Sequence, residues 1–154
     1  ADKFNFQPTT ITKPCGKTKM FLIDTSVWIG VLRDKTGVVR QSLEAIIKDE
    51  SIFLNRFTQM ELLQGCRDER EWTLLETYLQ EQDYIESTPN TWVAAARIYY
   101  DLQRQGLTVR SSIDCCIAQL AIEHQLILVH NDRDFETIQR VRSLNCLRFR
   151  PDNN

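Results

Sequence analysis

Four acidic residues stand at or near the edge of an apolar run: Asp24 in FLIDTSVWIG (Phe21 to Gly30), Glu61 in TQMELLQG, Asp114 in SSIDCCIAQLA and Asp132 in LILVHNDRDF. Carboxylates brought together repel one another and raise each other's pKa unless a cation intervenes. Hard oxygen donors of this kind suit Mg2+ or Mn2+. Such ions serve phosphodiester hydrolysis, because they acidify the attacking water and stabilise the leaving oxygen; a two-metal site holds them roughly 3.5–4 Å apart. In that chemistry Asp24 and Asp114 are the principal ligands, Asp132 is a further ligand, and Glu61 binds through water or orients the attacking water. Each acid also has a purely structural reading. Thr58 to Glu61 and Ser111 to Asp114 both fit a capping box, in which a hydroxyl and an acid three residues later satisfy free helix N–H groups. Asp24, Asn131 and Asp132 fit N-caps, worth roughly 0.5–2 kcal/mol each. Only convergence in space separates the two readings.

Whether the acids converge depends on the elements that carry them. MFLI at Met20, SIFLN (Ser51 to Asn55) and LILVH (Leu126 to His130) read as short strands, and LRFR (Leu147 to Arg150) as a final edge strand; the runs are short and bounded by polar residues. Helical spacing covers Ser26 to Arg33, Val38 to Ile47, the MELLQG run up to Gly65, Glu69 to Leu79, Thr91 to Gln105 with Gly106 behind it, Ser111 to His124, and Phe135 to Val141. Strands separated by helices imply an α/β fold with a parallel sheet and helices packed on it. Ligand sites in such sheets gather at the carboxyl edge of the strands. Asp24 follows the first strand, Glu61 is expected to open the helix after the second, and Asp132 follows LILVHN. Asp114 reaches the same edge because its helix runs back antiparallel to the strand that follows it. All four acids are therefore expected on one edge. Asp134, two residues beyond Asp132, is expected to stabilise the free N–H groups of the next helix, within reach of an ion through water.

Composition narrows the class. A chain of 154 residues, 42% apolar, makes one domain with a full core. No apolar run approaches the ~20 residues of a membrane span, and the N-terminus lacks the order of a secretory signal; a cytoplasmic protein without a membrane partner is expected. The five cysteines form an odd set without CxxC spacing, which favours free thiols over a disulfide framework or a zinc ribbon. Residues 1–19 carry four lysines against Asp2, a charge of +3, so Met20 to Asn154 carry −5 of the overall −2. That is unlike a broad basic nucleic-acid face, yet it suits a carboxylate cluster offset by a metal. After Lys48 every cation is arginine, the side chain that forks onto phosphate and carboxylate; Arg110 and Arg133 lie nearest the acids and are expected to contact flanking phosphates. The chain has no GxxxxGK[ST], GxGxxG or HExxH. A phosphoacceptor receiver would want a lysine after a late strand, and a dehalogenase-like phosphatase a second Asp where Ser26 stands.

The four segments, in this order and spacing, resemble the PIN-domain ribonucleases, and within them the VapC-type toxins of bacterial toxin–antitoxin pairs. The resemblance covers about Met20 to Phe149. It implies a PIN-like α/β/α sandwich with a central parallel sheet and helices on both faces. It also implies a metal-dependent endoribonuclease, homodimers, and a cognate VapB-type antitoxin that blocks the acidic pocket. Carried over by position, the acidic set is Asp24, Glu61, Asp114 and Asp132, with the hydroxyl of Ser26 supporting it from behind. Single-stranded or loop RNA is the expected substrate, since its splayed backbone enters a narrow cleft. The rival readings are a catalytically silent PIN module and a housekeeping RNA-processing nuclease. Residues 1–19 are expected to be an N-terminal tail, 20–150 the domain, and 151–154 a C-terminal tail.

Overall fold

The computed structural model describes residues 19–151. The expected tails, apart from Lys19 and Pro151, lie outside the described residues. The chain runs β1 (Met20–Ile23), α1 (Thr25–Arg33), α2 (Val38–Ile47), β2 (Ser51–Phe53), α3 (Arg56–Gln64), α4 (Glu69–Gln80), α5 (Pro89–Arg104), α6 (Ser112–Glu123), β3 (Ile127–His130), α7 (Arg133–Ile138) and β4 (Cys146–Arg148). The strands form one sheet in the order β2-β1-β3-β4, and every pairing is parallel. The chain starts in the middle at β1, moves out to β2, then crosses back past β1 to β3. The direction of winding reverses between β1 and β3, which is where open parallel sheets form their crevice.

Alternation along the strands divides the core between the two faces of the sheet. Leu22 and Leu128 pack with Ile98, Ile117 and Phe135, from α5, α6 and α7. Phe21, Ile23 and Val129 pack with Val27, Leu43, Leu62 and Leu79, from α1 to α4. Both faces are covered, so the strands read as nearly continuous apolar runs. Burying each of these side chains contributes about 1.5–3 kcal/mol. The result is an α/β/α sandwich with an all-parallel sheet.

Several boundaries differ from expectation, and one matters for the site. Thr58 does not cap α3. Asn55, extended at φ −130° and ψ 165° directly after β2, takes that position, and its Oδ1 accepts the Thr58 N–H at 2.9 Å. Asparagine is as good a cap as any residue, so the helix starts three residues early, at Arg56. Glu61 therefore sits inside α3 rather than opening it. Helix α5 begins at Pro89, where proline suits the first helical position, and α7 begins at Arg133 and ends at Ile138. Gly106, at φ +71°, follows α5 as its left-handed terminator. Cys66, Cys115, Cys116 and Cys146 are free thiols.

Candidate functional site

The crevice between β1 and β3 is built by backbone that runs just past both strands. The Asp24 N–H donates to the Val129 carbonyl at 2.9 Å, extending the β1–β3 ladder by one residue before α1 begins. Asp24 caps α1, and its Oδ2 accepts from the Ser26 N–H at 3.0 Å and from the Ser26 hydroxyl. Ser26 Oγ in turn accepts the Asn131 N–H at 3.0 Å, so one hydroxyl ties the end of β3 to the acid at the end of β1. Asp24 is 5% exposed. Burial raises its pKa, and the bonds from Ser26 partly offset that rise.

On the other side of the crevice His130 ends β3, buried, with its Nδ1 accepting the Asp132 N–H at 3.1 Å. Asp132 is extended and caps α7, its Oδ1 accepting the Asp134 N–H at 3.0 Å. Above them Ser111 caps α6 by accepting the Ile113 N–H at 3.1 Å, which places Asp114 in the first turn of that helix. Asp114, Asp132 and Asp134 each present a carboxylate oxygen, and these atoms all lie within 4.8 Å of one another. The carboxyl of Asp114 is pushed up to about 7, first by burial and then by the charges of Asp24, Asp132, Asp134 and Glu61. Glu61 is also raised, by burial and then by Asp24. Asp24 and Glu61 stand outside the tight trio but act on it through their charge.

The PIN-domain family model matches residues 21–141. The chain belongs to the PIN-domain family. Ribonuclease VapC11 of Mycobacterium tuberculosis is 36% identical over 139 residues, spanning 85% of this chain and 100% of the relative. VapC ribonuclease Mb1587 of Mycobacterium bovis matches to the same extent, and Ribonuclease VapC51 of Mycobacterium tuberculosis is 31% identical over 82% of this chain and 90% of its own length. Among solved structures, VapBC2 from Rickettsia felis bound to a promoter DNA fragment superposes with a TM-score of 0.69 at 18% identity, covering 85% of this chain and 99% of the other. FitAcB from Neisseria gonorrhoeae gives 0.67 at 20% identity, covering 88% and 100%.

In this PIN domain two features of the site differ from their sequence expectation. Asp134 stands as an acid in the first turn of α7 but does not cap it, because Asp132 does. Its carboxylate, 7% exposed, instead accepts the main-chain N–H of Arg110 through Oδ2 at 3.1 Å. Arg110 Nε reaches the same oxygen at 3.1 Å, and Nη2 lies 2.6 Å from each oxygen of Asp132. Arg110 thus holds carboxylates. Arg133 is exposed at the start of α7.

Two hydroxyls are not evident from the sequence. Thr25 Oγ1 lies 3.0 Å from Thr58 Oγ1 and 3.1 Å from Glu61 Oε1. An ionised carboxylate only accepts, so the single Thr25 proton faces Glu61. Thr25 and Thr58 are both buried. Thr25 directly follows the conspicuous Asp24, and Thr58 reads as a cap that Asn55 in fact supplies; polar residues beside an acid are the one signal that points to them. Thr25→Val, which keeps the shape and deletes the hydroxyl, is expected to cost about 1–3 kcal/mol by leaving Glu61 and Thr58 underbonded. Urea denaturation measures this, and stability equal to wild type would show that water replaces the contact.

Proposed function

We propose that this PIN domain is a Mg2+- or Mn2+-dependent endoribonuclease, a VapC-type toxin acting in the cytoplasm on single-stranded or loop RNA. Asp24, Asp114 and Asp132 are its metal ligands and Glu61 orients water. The observation that carries this reading is the crowding of Asp114, Asp132 and Asp134, whose carboxylate oxygens lie within 4.8 Å of one another; the Asp114 carboxyl is raised to about 7, first by burial and then by the charges of four other acids. Such crowding is costly in a site with no cation to bind, and an all-carboxylate donor set fits a hard divalent ion. Bound there, the ion would supply Lewis-acid activation of water and charge compensation for the phosphate. The chain's own groups do the rest. Ser26 holds Asp24 in place, the Asp132 carboxylate is fixed by the first turn of α7, and the Thr25 hydroxyl aims Glu61 and partly offsets the rise that burial causes there.

The relatives' names support the ribonuclease reading, and the complexes among the structural neighbours support a VapB-type antitoxin that would place a basic side chain in the acidic pocket. A homodimer is supported by Trp92, Val93 and Tyr100, exposed apolar groups on one side of α5. No helix among the described residues is long and apolar enough to cross a membrane.

The purified protein incubated with structured RNA and Mg2+ or Mn2+ should leave 5′-phosphate and 3′-hydroxyl ends, mapped by end sequencing. EDTA should stop cleavage, and Asp24→Ala should lower it by orders of magnitude while the fold survives. Full cleavage in EDTA, or by the Asp24 variant, would reject the mechanism. Growth arrest on induction, relieved by the antitoxin, separates a toxin from an RNA-processing nuclease.

A further inference from the structure

We propose that Arg110 sets the affinity of the acidic centre for its divalent ion, its guanidinium being a resident cation that holds Asp132 and Asp134 and must yield when the ion enters. This rests on the metal-dependent reading above.

The geometry separates the anchor of Arg110 from its charge. The anchor is the main-chain N–H, which donates to Asp134 Oδ2 at 3.1 Å, two residues before α6 begins. The charge is the guanidinium, whose Nη2 lies 2.6 Å from both oxygens of Asp132 and whose Nε lies 3.1 Å from Asp134 Oδ2. The Arg110 side chain is 72% exposed, whereas those of Asp132 and Asp134 are 21% and 10% exposed. Both oxygens of Asp132 face the guanidinium, so a divalent ion that takes the lone pairs they share with it has to displace it. The guanidinium, in contrast, has open solvent to swing into, and its backbone bond to Asp134 can persist when it does.

Asp132 and Asp134 are also two of the three acids whose oxygens lie mutually within 4.8 Å. A monovalent and a divalent cation cannot share so small a volume without strong repulsion. Competition of this kind lowers the apparent affinity by the fraction of time the acids are free. A pair formed nine-tenths of the time weakens ion binding about tenfold. The same pair spares the ion-free centre part of its repulsion, which gives the arginine a function when no ion is bound.

The test is Mn2+ titration of the full RNA-free chain by calorimetry, with circular dichroism to establish folding. Arg110→Gln removes the charge and is expected to tighten the Mn2+ Kd about five- to thirtyfold. Arg110→Lys keeps a charge but loses the fork that spans two carboxylates, so it should tighten binding only about two- to threefold. An Arg110→Gln protein that folds and binds Mn2+ as wild type does, or more weakly, overturns the proposal. If Arg110→Gln does not fold, a wild-type Kd for Arg110→Lys overturns it instead. A wild-type protein that binds no Mn2+ overturns the metal-dependent reading itself, and the role of Arg110 falls with it.

Discussion

Asp114→Asn is expected to end RNA cleavage and, at the same time, to make the ion-free protein more stable at pH 8. The two effects have one cause. Asp114 lies in the first turn of α6, where burial and the charges of Asp24, Asp132, Asp134 and Glu61 raise its carboxyl from 3.8 to about 7. The folded protein therefore retains this proton to higher pH than the unfolded chain does. Stability from Asp114 is fully present below about pH 4 and is lost as pH rises through about 7. The shift corresponds to at most about 4 kcal/mol, and solvent screening at this half-buried side chain reduces that to about 2 kcal/mol. Asparagine keeps the shape and never ionises, so it avoids the penalty. Asp24 and Glu61 are raised as well and carry the same sign, whereas burial lowers His130, whose contribution grows as pH rises. The difference between wild type and variant isolates Asp114. Urea denaturation in EDTA at pH 5 and pH 8 should show the variant gaining on wild type as pH rises, and single-turnover RNA cleavage in Mg2+ should be lost. Added Mg2+ should stabilise wild type at pH 8 but not the variant. A variant no more stable than wild type at pH 8 would mean that the acids at this edge do not crowd Asp114.

The readable part of this site is the part written in apolar runs. MFLI and LILVH end on acids because a parallel strand covered on both faces must be apolar until it leaves the sheet, and Asp24 and the Asn131–Asp132 pair stand where each one does. The short distance from Ser111 to LILVH also makes the direction of α6, and so the position of Asp114, inferable. Strand order is not legible in this way, because it depends on how helices of similar periodicity share two faces. Glu61 reads as the start of a helix because Thr58 and Asn55 are both competent caps; the extended backbone after β2 decides for Asn55. Arg110 lies in the segment between α5 and α6, where no periodicity announces a contact, and its partners are 22 and 24 residues away. Thr25 and Thr58, 33 residues apart, are hidden for the same reason: they meet only because α1 and α3 pack together on one face of the sheet.

The neighbours Asp132 and Asp134 are expected to fail in different ways when each loses its charge. Asp132→Asn keeps an oxygen for the Asp134 N–H, and asparagine caps helices as well as aspartate. The lost ion pair is with a guanidinium that is 72% exposed, where such pairs contribute little. Its stability should stay within about 1 kcal/mol of wild type, while cleavage should fall by orders of magnitude because the acid nearest β3 no longer carries charge. Asp134→Asn weakens two bonds that converge on one nearly buried oxygen, from the main chain and the Nε of Arg110. Replacing charge-assisted bonds with neutral ones there should cost about 1–2 kcal/mol and reduce cleavage far less. The comparison is decisive because both carboxylates belong to the trio within 4.8 Å, so proximity alone does not choose between them. Single-turnover rates at saturating Mg2+ and thermal melts of both variants separate the two roles. A dead Asp134→Asn beside an active Asp132→Asn would move the fourth acid of the centre to Asp134. Asp132 would then be left as the cap of α7, with Arg110 for a partner.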